Sequence, residues 1–238
     1  MTQSPLEYGR ALLRWALDDP TADFRSGQWE AIEALTQHSA RMLVVQRTGW
    51  GKSVVYFITT RMLRDKGAGP TLLVSPLLSL MRNQLLAADR LGVRAETVNS
   101  SNREDWNEIY ERLRDDEIDL LIISPERLSN EAFRESVLLP MSSRMGFFVV
   151  DEAHCISDWG HDFRPDYMRI ARILQALPSN IPVLATTATA NNRVVADVRD
   201  QLGPTVTVSR GPLVRESLRL QNIELPAPAA RLAWLAEN

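Results

Sequence analysis

Residues 46–53 read QRTGWGKS and sit between an apolar run ending at Val45 and a stretch that opens a helix near Lys52. Glycines at 49 and 51 let the backbone turn its N–H groups inward, and a helix N-terminus adds partial positive charge. Thr48, Gly49, Trp50, Gly51, Lys52 and Ser53 therefore make up a loop fitted to phosphates. The Lys52 ammonium would reach the β and γ phosphates and the Ser53 hydroxyl would ligate Mg²⁺. The strict pattern G-x-x-x-x-G-K-S fails only at its first position, which is Gln46. Of the 27 basic residues only Lys52 and Lys66 are lysines, so Lys52 is kept against a strong bias toward arginine. A position of that kind wants a compact ammonium and not a planar fork. About a hundred residues later the apolar run Phe147–Val150 ends in Asp151, Glu152, Ala153 and His154. A carboxylate at the C-terminal end of a strand, in the same sheet as the loop, is where a Mg²⁺ ligand belongs. Asp151 takes that role, and Glu152 can hold and polarise an attacking water. Lys52, Asp151 and Glu152 are thus the expected catalytic set, with Ser53 and Asp151 on the metal.

Two such clusters need a scaffold that brings distant segments together. Short apolar runs recur at Met42–Val45, Thr71–Val74, Val93–Val98, Leu120–Ile123, Phe147–Val150, Val183–Ala185 and Val206–Val208. Several are apolar throughout, as strands covered on both faces are. Helical patterns separate them. One follows Ser101, where Ser101 and Glu104 fit a capping box and Trp106, Ile109, Tyr110 and Leu113 recur at helical spacing. Another has Pro165 near its start and Ile170, Ile173, Leu174 and Leu177 along one side. The alternation predicts an α/β lobe, a mostly parallel sheet with helices on both faces. Residues 1–225 read as this lobe. The stretch Pro226–Ala230 reads as a linker, so that 226–238 would open a second unit.

Composition narrows the classes without choosing among them. The chain has 238 residues, 45% hydrophobic and 24% charged, which excludes a largely disordered or fibrous protein. No apolar run approaches the ~18 residues of a membrane span, and no secretory leader is visible in MTQSPLEYGR. A single cysteine, Cys155, and three histidines cannot build a structural zinc site of the usual kind. A reducing cytoplasm is the expected setting. The net charge of −3 gives no basic footprint, so any nucleic-acid contact must come from local residues.

The motifs together resemble the first motor lobe of superfamily 2 helicases of the RecQ type. Asp151–Tyr167 (DEAHCISDWGHDFRPDY) is similar to that family's Walker B motif running into its aromatic-rich loop, and Phe24–Gln28 (FRSGQ) to its adenine-recognising motif. Val74–Gln84 (VSPLLSLMRNQ) resembles motif Ia, Ser124–Leu128 (SPERL) motif Ib, and Thr186–Ala190 (TTATA) motif III. The order is the family's own and the likeness covers nearly the whole chain. It implies a RecA-like P-loop lobe of a bacterial-type, nucleoid-associated, ATP-dependent DNA helicase acting in DNA repair and recombination, with 3′–5′ polarity. The cofactors would be ATP and Mg²⁺, and the partners single-stranded DNA or a duplex junction and a second lobe bearing arginine fingers. Without that lobe these residues alone should be nearly inactive. Gln28 would read adenine with Arg25 assisting, and His154 would join the nucleotide site. Ser75, Ser79, Asn99, Ser100 and Thr187 would contact DNA backbone, with Trp159, Phe163 and Arg164 stacking on or clamping the strand.

Departures from the family pattern leave choices open. Thr21 stands where an aromatic normally stacks on adenine, and Trp50 where a small residue is usual, so Trp50 either takes over the stacking or covers the pocket. Asn83 replaces an Asp, and Asp158 a Gln. Two other functions fit part of the pattern. A DEAH-type RNA helicase leaves the DWGHDF loop without a purpose, and a nucleotide-gated nucleic-acid-binding module that does no unwinding leaves Glu152 without one.

Overall fold

The computed structural model describes residues 3–76, 78–157, 165–212, 223–225 and 227–237, with the backbone alone for 78–80, 165, 168, 171–172, 175–176 and 237. Its strands are β1 (Arg41–Val45), β2 (Thr71–Val74), β3 (Ala95–Val98), β4 (Leu120–Ile123), β5 (Phe147–Val150), β6 (Val183–Thr187) and β7 (Thr207–Arg210). All pair in parallel in the order β3-β4-β2-β5-β6-β1-β7. The apolar runs are legible as strands because parallel strands are covered on both faces, and β2, β4, β5 and β6 are buried along their whole length. The outermost β3 and β7 are partly exposed and correspondingly more polar.

Helices close the two faces. On one lie α1 (Pro5–Leu17), α2 (Gln28–His38), α3 (Lys52–Asp65) and α4 (Leu78–Asp89), packed on Met42, Val44, Leu73, Phe147 and Val149. On the other lie α5 (Trp106–Arg114), the short α6 (Glu131–Phe133) and α7 (Leu139–Ser142), α8 (Arg169–Ala176) and α9 (Asn192–Leu202). These meet Leu43, Val45, Val74, Phe148 and Val150. The alternation of one strand's residues between two cores follows from the two-residue period of the pleat. Each fully buried Val, Leu or Phe contributes about 1.5–3 kcal/mol to holding the layers together. A last helix, α10, spans Pro228–Glu237.

Two expectations change, the Ser101 cap and the start of β3. Ser101 caps nothing: its hydroxyl and N–H both donate to Asn99 Oδ1, and a 3₁₀ turn at Arg103–Asp105 precedes α5. Asn is the better local competitor for those donors, so the turn forms before the helix does. The stretch read as a linker runs into the first turn of α10 at Pro228, because proline suits a first helical turn, where its missing N–H costs nothing. Val93 precedes β3; its N–H donates to Ala88 O and closes the end of α4. Among the described residues no helix is long and apolar enough to cross a membrane.

Candidate nucleotide-binding site

The site is assembled where β1, β6 and β5, adjacent in that order, end together. β1 delivers the chain at Val45 into the phosphate loop, and Gln46 N–H donates to Thr187 O of β6 at 3.1 Å. Gly49 and Gly51 both take positive φ, 81° and 98°, which side chains resist. Gly51 is required for a second reason: a Cβ there would lie 2.6 Å from Gln28 Nε2. The buried Gln28 carboxamide donates from Nε2 to Trp50 O at 2.9 Å and accepts at Oε1 from Arg25 N–H at 2.9 Å. Arg25 Nη1 donates to Gly49 O. The FRSGQ segment is thereby tied to the loop it was expected to serve. Lys52 Nζ donates to Gln46 O at 3.0 Å, bridging the loop's two ends.

Across the cavity stand the acids. Asp151 follows β5 and is only 8% exposed. Its Oδ1 accepts from Thr186 Oγ1 at 2.6 Å and from Glu152 N–H at 3.0 Å, and its Oδ2 from Gln84 Nε2 at 3.2 Å. Burial pushes its carboxyl above the ordinary range; the Thr186 bond and Lys52 oppose this, while neighbouring Glu152 adds to it. Burial also pushes Tyr56 well up, reinforced by the charge of Asp151. Glu152 holds φ 50°, ψ 46°, a left-handed conformation unfavourable to a long side chain and typical of positions where geometry serves chemistry. Its Oε2 lies 3.2 Å from His154 Nδ1, which is 3.1 Å from Thr187 Oγ1. Thr48, Gly49, Lys52 and Ser53 on one side and Asp151 and Glu152 on the other enclose a cavity of about 330 Å³. A buried carboxylate whose hydrogen bonds among the described residues come from neutral groups, facing a hydroxyl at a helix N-terminus, fits a hard divalent cation that keeps part of its water.

Not every expected site residue lies at this surface. Trp50 is 6% exposed, packs among the α1–α4 core and does not line the cavity. His154 also lies behind the wall, linking Glu152 to Thr187. Ser75 and Thr187 are fully buried, and Asn99 is buried with its side chain committed to Ser101 and Thr97. None of these three presents its side chain to solvent, whereas Ser100 does. The side chain of Ser79, and Trp159, Phe163 and Arg164 entirely, lie outside the described residues. Sequence reasoning missed Gln84, Tyr56 and Thr186, all bearing on Asp151. Gln84 had a signal: it shares the buried face of α4 with Met81 and Ala88, where an amide needs a reason.

The DEAD/DEAH box helicase family matches residues 25–198. The ATP-dependent DNA helicase RecQ of Bacillus subtilis (strain 168) is 38% identical over 182 residues, covering 75% of this chain and 29% of that protein. The RecQ helicase of Pasteurella multocida (strain Pm70) is 34% identical over 213 residues, covering 88% and 32%. Among solved structures, the DUF1998 helicase MrfA superposes with a TM-score of 0.68 at 15% identity, covering 89% of this chain and 33% of that one. The helicase domain of Pyrococcus furiosus Hef gives 0.61 at 17% identity, covering 78% and 38%. At such identities the structural likeness is one of fold. The chain spans 29% to 32% of the length of these two RecQ relatives. The chain belongs to the DEAD/DEAH box helicase family and, within it, is a first motor lobe of the RecQ type.

Proposed function

We propose that this lobe binds Mg-ATP and drives a DNA helicase of the RecQ type, with 3′–5′ polarity. The observation that carries the reading is the convergence of the phosphate loop after β1 and the Asp151–Glu152 pair after β5 on one cavity. Loop N–H groups and Lys52 hold the phosphate chain, with the ammonium moving from Gln46 O to phosphate oxygens. Ser53 and Asp151 hold Mg²⁺, which when bound offsets charge on the phosphates. Glu152, fixed at its unusual φ and steadied by His154, orients water against the terminal phosphate and takes its proton. Gln28, held against the loop by its bonds with Trp50 O and Arg25 N–H, reads the adenine edge with Arg25 assisting.

The polar groups of motifs Ia and Ib and the aromatic loop with Trp159, Phe163 and Arg164 engage single-stranded DNA or a junction. A second lobe, supplied beyond residues 226–238, brings arginine fingers worth ~10³–10⁵ in rate. The cellular setting is the cytoplasm of a bacterial-type cell. Two variants test the assignment. Lys52→Ala should lose binding of a fluorescent ATP analogue, whereas Glu152→Gln should keep it, and both should abolish hydrolysis in the protein carrying both lobes. Equal nucleotide affinity in the two variants would overturn the division of labour.

A further inference from the structure

Gln84 is 7% exposed and lies in the cavity wall between α3 and the acid pair. Chemistry fixes which way its amide faces. A carboxylate only accepts, so Nε2 is the end at Asp151 Oδ2, 3.2 Å away, and it donates to Tyr56 OH at 3.1 Å as well. The other end, Oε1, is buried and meets no donor among the described residues. A buried acceptor left unmatched is costly, and an apolar side chain in its place would avoid that cost. Thr186 meanwhile holds the opposite oxygen of Asp151. The carboxylate is thus clamped at both oxygens, by side chains from α4 and β6.

We infer that Gln84 is a positioning residue for the cation site: Nε2 fixes the plane of the Asp151 carboxylate, and Oε1 accepts a hydrogen bond from a water of the cation's hydration shell. The acceptor-only carboxylate fixes which end of the amide faces it, and Tyr56, also bonded to Nε2, holds the side chain in place. The inference rests on the Mg-ATP reading given above. Groups that orient a metal's direct ligand characteristically tune affinity for the metal and leave the rest of the site intact.

The test is Mg²⁺ titration of the 238-residue chain with a fluorescent, non-hydrolysed ATP analogue, alongside the same binding in EDTA. Gln84→Leu, close in volume, should weaken apparent Mg²⁺ affinity by about 10- to 100-fold while leaving nucleotide affinity in EDTA within about twofold. Tyr56→Phe removes one oxygen, should preserve the fold, and should shift Mg²⁺ affinity the same way by a few-fold. The electron paramagnetic resonance lines of Mn²⁺ bound with the nucleotide should broaden in Gln84→Leu as the carboxylate loses its fixed plane. Mg²⁺ dependence unchanged in both variants would overturn the inference, as would equal losses with and without the cation, which would make Gln84 a shaper of the cavity only. A wild-type chain that binds the nucleotide indifferently to Mg²⁺ would instead overturn the Mg-ATP reading, and the inference with it.

Discussion

Two buried aspartates stand at opposite ends of one sheet, and their partners differ in kind. Asp119 lies just before β4, at the edge from which the strands start. Its Oδ1 meets Arg64 Nε at 2.8 Å and Arg94 Nη2 at 2.7 Å, and its Oδ2 accepts from Arg94 N–H at 2.9 Å. Burial alone would raise its carboxyl, but these bonds outweigh it and hold the group below the ordinary value. Asp151 lies just after β5, at the edge where strands end, and its hydrogen bonds come from a hydroxyl, an amide and a backbone N–H. Its carboxyl is pushed up. One charge is neutralised by the fold and ties α3 to the sheet. The other is oriented by the fold and left for something to neutralise. The identity of the donors, more than burial, separates a carboxylate that stabilises from one whose charge the fold orients but does not pair.

The largest effect that would break the comparison is on turnover. In the protein with both lobes, Asp151→Asn should cut ATP hydrolysis by ~10³-fold or more, since a metal ion supplies several kcal/mol to the transition state. Asp119→Asn should leave turnover per folded molecule unchanged. A comparable loss in both would show that Asp119 also serves the site.

Next comes stability. Asp119→Asn takes from Arg64, only 12% exposed, the more buried of its two carboxylate partners, leaving it Asp116 at 3.0 Å, and breaks the pairing with Arg94 as well, at a cost of about 3 kcal/mol. For a chain of this length that lowers Tm by roughly 6–12 °C. The sign with pH follows from the lowered carboxyl. The wild-type advantage is complete above the unfolded value of 3.8 and is lost as pH falls below it toward the folded value. Denaturant midpoints of the two proteins should therefore converge in acid, and a gap that persists there would mean packing, not charge, holds Asp119.

The same contrast explains what could be read from sequence. Strands and phosphate loop were legible because their signals are local: an unbroken apolar run, or Gly and Lys at fixed spacing before a helix. The residues that give each aspartate its character are not. Arg64, Arg94 and Asp119 come from three separate segments, and so do Tyr56, Gln84 and Thr186 around Asp151. No period or spacing links them before the sheet order is known. Ser75, Asn99 and Thr187 pose a different difficulty. Their types suit phosphate contact, but strand ends in a parallel sheet bury small polar groups as readily as they present them, and only the burial decides.

The smallest effect is the sharpest, because it reverses sign between the two sites. With Mg²⁺ removed by EDTA, Asp151 is a buried charge faced by Glu152 and Tyr56, with Lys52 partly compensating. A carboxyl raised in the fold contributes stability that is full below 3.8 and declines as pH climbs through the folded value. Asp151→Asn escapes that decline. Its new Nδ2 can be met by Gln84 turning its amide end over end, with Tyr56 changing from acceptor to donor. The variant should match wild type in acid and have the higher Tm at pH 7, where Asp119→Asn has the lower. Added Mg-nucleotide should raise the wild-type Tm and leave that of Asp151→Asn nearly unmoved, closing or inverting the gap. If Asp151→Asn is instead the less stable protein at pH 7 in EDTA, then Lys52 already balances the charge in the empty site, and the two aspartates are alike after all.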